Sequence, residues 1–114
     1  MNTTIFMLNL FSALSFYGFG LACLSTEAMR AEFARYHLDR YRAITGWLQL
    51  AGATGLVVGI WLPAVGFAAA LGISLQMLAG FGVRIYIRDK WLQCFPAAFY
   101  CILNAGLAAA YWSL

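Results

Sequence analysis

The chain has 114 residues, of which 64% are hydrophobic and 10% charged, with a formal net charge of +3. Soluble domains run at about 45–50% apolar and about 25% charged, so a single small domain of this composition is expected to face lipid rather than water. Its positive charge does not outline a nucleic-acid surface, because all seven Lys and Arg fall within 30–42 and 84–90, separated by apolar spans.

The first apolar run, 4–26, carries no charge. It lacks a basic leader and a clear cleavage site, so it reads as a retained membrane helix and not as a signal peptide. The segment after it places Glu27 and Arg30, then Glu32 and Arg35, three apart, and Arg35 and Asp39 four apart. These spacings bring opposite charges together on a helix surface. The first helix is therefore expected over 4–35, with Asp39 capping the next one.

The second run, 43–62, belongs to a helix expected over 40–62. Only Leu62-Pro63-Ala64 follows before the third, expected over 64–86, and Pro63 suits the first position of a helix. A charged connection, 84–90, leads to a fourth helix expected over 92–113. Pro96 fits a first turn better than an interior, which favours a start near Phe95.

Each run reaches about 20 residues, enough at about 1.5 Å per residue to cross a hydrocarbon core of about 30 Å. Nothing alternates with the period of two that barrel strands need. The expected fold is all-α: one integral membrane four-helix bundle. Its orientation follows from charge. The first connection holds four Arg and the third two Arg and one Lys, whereas the 62–64 turn and both termini hold none. The positive-inside rule makes the charged connections cytoplasmic and puts the N-terminus and C-terminus outside, in a multi-pass protein of the cell inner membrane. Trp61, Tyr111 and Trp112 then mark the outer interface, and Trp47 and Trp91 the inner one.

Small residues recur every four positions at Ala51, Gly55 and Gly59, and again at Gly66, Ala70 and Ser74. Ala98, Ala105 and Ala109 share broadly one side of the fourth helix. Helices in lipid are held by close van der Waals packing, so these faces, with Gly72, Gly80 and Gly82, are expected to be packed. Packing within the chain is the simpler reading and a homodimer seam the sharper one.

Catalytic chemistry is not visible. Cys23, Cys94 and Cys101 include no CxxC; Cys94 and Cys101 lie about 10 Å apart along a helix, too far for a bridge. They read as buried fillers. His37 is alone in a charged connection and offers no pair of haem ligands. No metal-ligand set occurs, and no nucleophile with a base. No carboxylate lies within a span, which argues against a drug/proton antiporter.

The polar residues within the spans are Asn9, Ser12, Gln49, Ser74, Gln76 and Asn104. Gln49 and Gln76 match in depth to about one turn and are placed to meet across the bundle; Asn104 is near the middle. Interhelical bonds of about 0.6–2 kcal/mol are the ordinary outcome. The functional alternative is a polar pocket of Gln49, Gln76 and Asn104 that takes a quinone head group or another carbonyl compound.

Taken in order, Glu32-Phe-Ala-Arg-Tyr36 and Arg42-Ala-Ile-Thr-Gly46 through Gly55 to Gly59 resemble the charged loop and second helix of DoxX-like membrane proteins. Leu75-Gln-Met77, Arg88-Asp89, Pro96-Ala97 and Leu103-Asn104 resemble that family's third and fourth helices. The resemblance implies a four-helix membrane bundle with both termini outside. It also implies roles known among relatives, either membrane subunits of oxidoreductase systems linked to sulfur compounds or quinone, or assembly helpers for receptors. It supplies no catalytic residues. The expected function is an accessory subunit, with no cofactor of its own, docking to another membrane protein or complex. The alternatives are a quinone-linked oxidoreductase component and, more weakly, a small transporter.

Overall fold

The computed structural model describes residues 2–113. They form α1 (Thr3–Ser25), α2 (Glu27–Arg35), a 3-10 turn (Asp39–Tyr41), α3 (Arg42–Val58), α4 (Pro63–Tyr86) and α5 (Trp91–Trp112). Among the described residues there is no strand. By length and apolar composition α1, α4 and α5 suffice to cross a membrane. α3 has 17 residues, and its helical bonding runs on through Gly59 N–H to Gly55 O and Leu62 N–H to Val58 O.

Three boundaries depart from the sequence expectation. The first helix does not continue to Arg35, because the chain turns extended at Thr26 (φ −100°, ψ 145°). The Thr26 hydroxyl donates to Ala22 O at 2.9 Å and accepts from Met29 N–H at 3.2 Å, ending α1 and capping α2 with one side chain. Asp39 does not cap α3; it lies in the 3-10 turn, and α3 starts at Arg42 without a side-chain cap. α5 starts at Trp91 rather than near Phe95, with Pro96 inside it. The start is fixed by Lys90 N–H donating to Gln93 Oε1 at 3.1 Å, while Gln93 N–H donates to Lys90 O at 2.9 Å. Pro96 has no N–H for the Leu92 carbonyl, so one backbone bond is missing within the early turns.

α2 and α4 end alike. Leu38 N–H reaches Phe33 O at 2.9 Å and His37 N–H reaches Ala34 O at 3.0 Å; Asp89 N–H reaches Arg84 O at 2.9 Å and Arg88 N–H reaches Ile85 O at 3.0 Å. This is the Schellman pattern, which needs a left-handed residue and ordinarily takes glycine. Here His37 (φ 61°) and Arg88 (φ 62°) occupy it, at a steric cost of roughly 1–2 kcal/mol each. His37→Gly is therefore expected to stabilise the protein by roughly 0.5–1 kcal/mol, part of the relief being offset by glycine's greater unfolded-state entropy. Denaturation in detergent checks this; a less stable variant would show that the imidazole makes a compensating contact.

α1 packs on α3 and α5, and α4 packs on α3 and α5. Phe16, Ala53, Leu56, Ile73 and Leu107 fill the core between them. Backbones approach closely where glycine permits. A Cβ built on Gly55 would lie 2.6 Å from Ala69 Cβ, and one on Gly59 would run into the Gly66 backbone. The expected ridge is thus packed at Gly55, Gly59, Gly66 and Ala70, while Ala51 is exposed. Gly72, Gly80 and Gly82 are not packing residues: nothing lies within 4 Å of a Cβ built on any of them. Ala105 and Ala109 also face outward, and α5 turns Asn104, Leu107, Ala108 and Tyr111 inward instead.

Candidate functional site

Five helices converge on a cavity of about 210 Å³ at the end of the molecule nearest α2. α1 contributes Phe19 and Cys23, α3 Thr45 and Gln49, α4 Gln76 and Arg84, and α5 Gln93 and Tyr100, while Phe33 and Tyr36 of α2 close one side. Phe19 and Tyr100 meet edge to face at 5.3 Å, giving the cavity an aromatic wall.

Gln49 and Gln76 both line this space, as their matched depth implied, but they are not bonded to each other. Gln76 Nε2 donates to Thr45 O at 3.3 Å. Gln49 Oε1 accepts from the Cys23 thiol at 3.6 Å. The Gln49 side chain is 5% exposed, and among the described residues its Nε2 has no protein acceptor. Because no fully enclosed polar atom lacks a partner, that amide end reaches the open volume of the cavity. Cys23, read from sequence as a filler, is the group that orients Gln49; a thiol and an amide 26 residues apart gave no sequence signal.

Asn104 lies elsewhere. It is fully buried, donates to Tyr100 O at 2.9 Å and accepts from Ser12 Oγ at 2.8 Å. Nearer the termini, Asn9 Nδ2 donates to Leu56 O at 3.0 Å, and the Tyr111 hydroxyl lies 2.7 Å from Asn9 Oδ1 and 3.1 Å from Leu56 O. These groups are satisfied by one another. They tie α1, α3 and α5 together.

Above the cavity sits a charged cap that joins the two basic connections. Arg35 grips Asp89 with both terminal nitrogens, at 2.8 and 3.1 Å, and also reaches Glu32 at 3.0 Å. Arg84 lies 3.0 Å from Asp89 and 3.6 Å from Glu32. The Tyr36 hydroxyl donates to Glu32 at 2.8 Å, and the Arg35 guanidinium stands 5.1 Å from the Tyr36 ring centroid. The expected Arg35–Asp39 pair does not form, because left-handed His37 turns the chain off the helix before Asp39. Asp89, 54 residues away, takes its place.

Two guanidiniums facing two carboxylates make the cap neutral. Bonds from Arg35, then Arg84, hold Asp89 below its ordinary 3.8. The bond from Arg35, reinforced by Tyr36, holds Glu32 below its ordinary 4.5. Arg35 is correspondingly pushed up by Asp89 and Glu32. Burial, then the bond to Glu32, pushes the Tyr36 phenol up to about 12. Arg42 is separate; it donates to Cys23 O and so satisfies a carbonyl in the last turn of α1.

Among the described residues no three His, Cys, Asp or Glu side chains gather to hold a metal. What the cavity presents instead is the Phe19 and Tyr100 rings and one end of the Gln49 amide. Compared with known proteins, the chain matches a model described as the DoxX-like family over residues 7–107. No curated protein and no solved structure matches it.

Proposed function

The chain belongs to the DoxX-like family, and we propose that this multi-pass membrane protein is an accessory inner-membrane subunit whose cavity holds a quinone head group for a larger oxidoreductase complex. α3, packed between α1 and α4, is the fourth crossing: its 17 residues span about 26 Å at 1.5 Å each, and the Gly59–Leu62 turn supplies the remainder. Four crossings place both charged connections on one side, cytoplasmic by their Arg and Lys, and both termini outside.

One observation carries the ligand reading: Gln49 is 5% exposed and one end of its amide is unpaired in the cavity. That amide end opens onto the cavity, where a ligand carbonyl would accept from it and gain roughly 0.5–1.5 kcal/mol, the net worth of one hydrogen bond. At about 210 Å³ the cavity is below the roughly 300–1,000 Å³ of drug-sized sites, a size suited to one ring.

Purification in mild detergent followed by quinone extraction tests this. Wild-type protein should carry quinone, and Gln49→Leu should lose at least about 90% of it, equivalent to one lost buried hydrogen bond, at an unchanged melting temperature. Retention of quinone by a well-folded Gln49→Leu would defeat the reading. A second reading, docking without a ligand, draws on the groove of about 390 Å³ between α3 and α4, where Ala51, Gly52, Ala68 and Gly72 leave room for a partner helix. A copurifying membrane complex and no quinone would favour it.

A further inference from the structure

A second cavity of about 200 Å³ adjoins the first. The two share Phe33, Tyr36, Thr45, Gln76 and Gly80 as walls. The outer one adds Leu38, Tyr41, Ala79 and Val83, and so runs between the start of α3 and the end of α4. Tyr41 and Ala79 are exposed, which places its mouth on the side of the molecule. No atom lies within 4 Å of a Cβ built on Gly80, so the space beside the shared wall is unfilled by any side chain.

From this adjacency, and the unfilled space at Gly80, we infer that the outer groove is a lateral portal, through which the hydrocarbon tail of a single-ring ligand passes from the head-group cavity into lipid. The inference rests on the head-group reading of Gln49. A cavity of about 210 Å³ accommodates a ring but not a long chain, and a tail has no favourable place against the Arg35–Asp89–Arg84 cap. An apolar side opening between two helices lets the tail stay in lipid while the ring is bound. Lipid is as apolar as the groove, so the tail adds little affinity. The groove acts by steric permission.

The test uses two probes on detergent-purified protein: a benzoquinone without a tail, and the same ring carrying a decyl chain. Binding is read by calorimetry. Wild type should bind both with similar affinity. Ala79→Phe, in the groove but not in the inner cavity, should weaken the decyl ring about tenfold or more, the scale of an overpacking clash, and leave the tailless ring unchanged. Val83→Phe, likewise confined to the groove, is the second variant and should also discriminate against the tail. Gln49→Leu should weaken both rings alike. If wild type binds neither ring, the head-group reading falls and this one with it. If both rings bind and neither Ala79→Phe nor Val83→Phe separates them, the portal alone is overturned.

Discussion

Gly55→Leu is expected to destabilise the protein by about 3 kcal/mol, whereas Gly18→Leu should be neutral or slightly stabilising. The contrast comes from what each added side chain meets. At Gly55 the first new carbon already lies 2.6 Å from Ala69 Cβ and 3.8 Å from Ala69 Cα. Leucine adds three more carbons, so α3 and α4 must separate, and separation forfeits the dispersion contacts that hold helices together in lipid. At Gly18 nothing lies within 4 Å of the new carbon. There leucine meets only surroundings as apolar as itself, and gains up to roughly 1 kcal/mol of helix propensity over glycine. Both substitutions add the same atoms to the same kind of helix, so lipid affinity cancels in the comparison. Detergent melting or denaturant titration of the pair measures the difference. Equal stabilities would mean that α3 and α4 do not approach at Gly55.

Asp89→Asn is expected to lower the melting temperature by several degrees and to blunt the protein's sensitivity to acid. Asp89 is the shared partner of Arg35 and Arg84, and its side chain is 6% exposed, against 41% for Arg35 and 26% for Arg84. Without its charge the two guanidiniums face each other with only Glu32 between them. The exposed Arg35–Glu32 contact is screened by water and replaces little of the loss.

The pH dependence follows from the direction of the shifts. Asp89 and Glu32 ionise more readily in the folded protein than at their ordinary 3.8 and 4.5. Their contribution is therefore fully present above those ordinary values and disappears as pH falls through the lower folded ones. Wild type should melt at a constant temperature from about pH 8 to about pH 6 and progressively lower below about pH 4. The asparagine variant should begin lower and fall less, since Glu32 is then the one carboxylate left in the cap. Parallel curves for the two proteins would remove Asp89 from the centre of the cap.

Legibility in the sequence depended on the range of the interaction. Long apolar runs marked the helices, Pro63 marked the start of α4, and the Gly55 and Gly59 spacing marked a packed seam; each is a local pattern with a local cause. The break at Thr26 was hidden because neither glycine nor proline marks it, only a hydroxyl able to bond in both directions. At the ends of α2 and α4, residues that ordinarily avoid left-handed backbone, His37 and Arg88, occupy the glycine position, so the sequence carried no sign of the two Schellman turns. The glycines of α4 misled because Gly72, Gly80 and Gly82 border open space, and composition cannot distinguish a glycine that admits a helix from one that leaves a void. Gln49 and Gln76 were legible as a pair in depth. Their separate partners, Cys23 and Thr45, depended on helix rotation. Asn104 shared their chemistry but was claimed by Ser12 and Tyr100, which no spacing reveals.

The asymmetry between the two ends has a mechanical consequence. At the end bearing the termini, Asn9, Tyr111 and the Leu56 carbonyl clamp three helices through buried bonds, and Gly59 meets Gly66 backbone to backbone. At the other end the helices part around a void, bridged by the Arg35–Asp89 and Arg84–Glu32 ion pairs and by the Gln76 bond to Thr45 O. Such a body is built like a pair of tongs: the clamped end is the rivet, and the α1–α3 and α4–α5 arms are free to separate most at the end near α2. A shift of one helical turn at the rivet would break every bond there at once, whereas a small opening at the tips would exchange the Arg35–Asp89 and Arg84–Glu32 pairs and one Gln76 bond for water. Compliance is therefore concentrated where the cavity lies, and a bound ring would stiffen the molecule from its loose end.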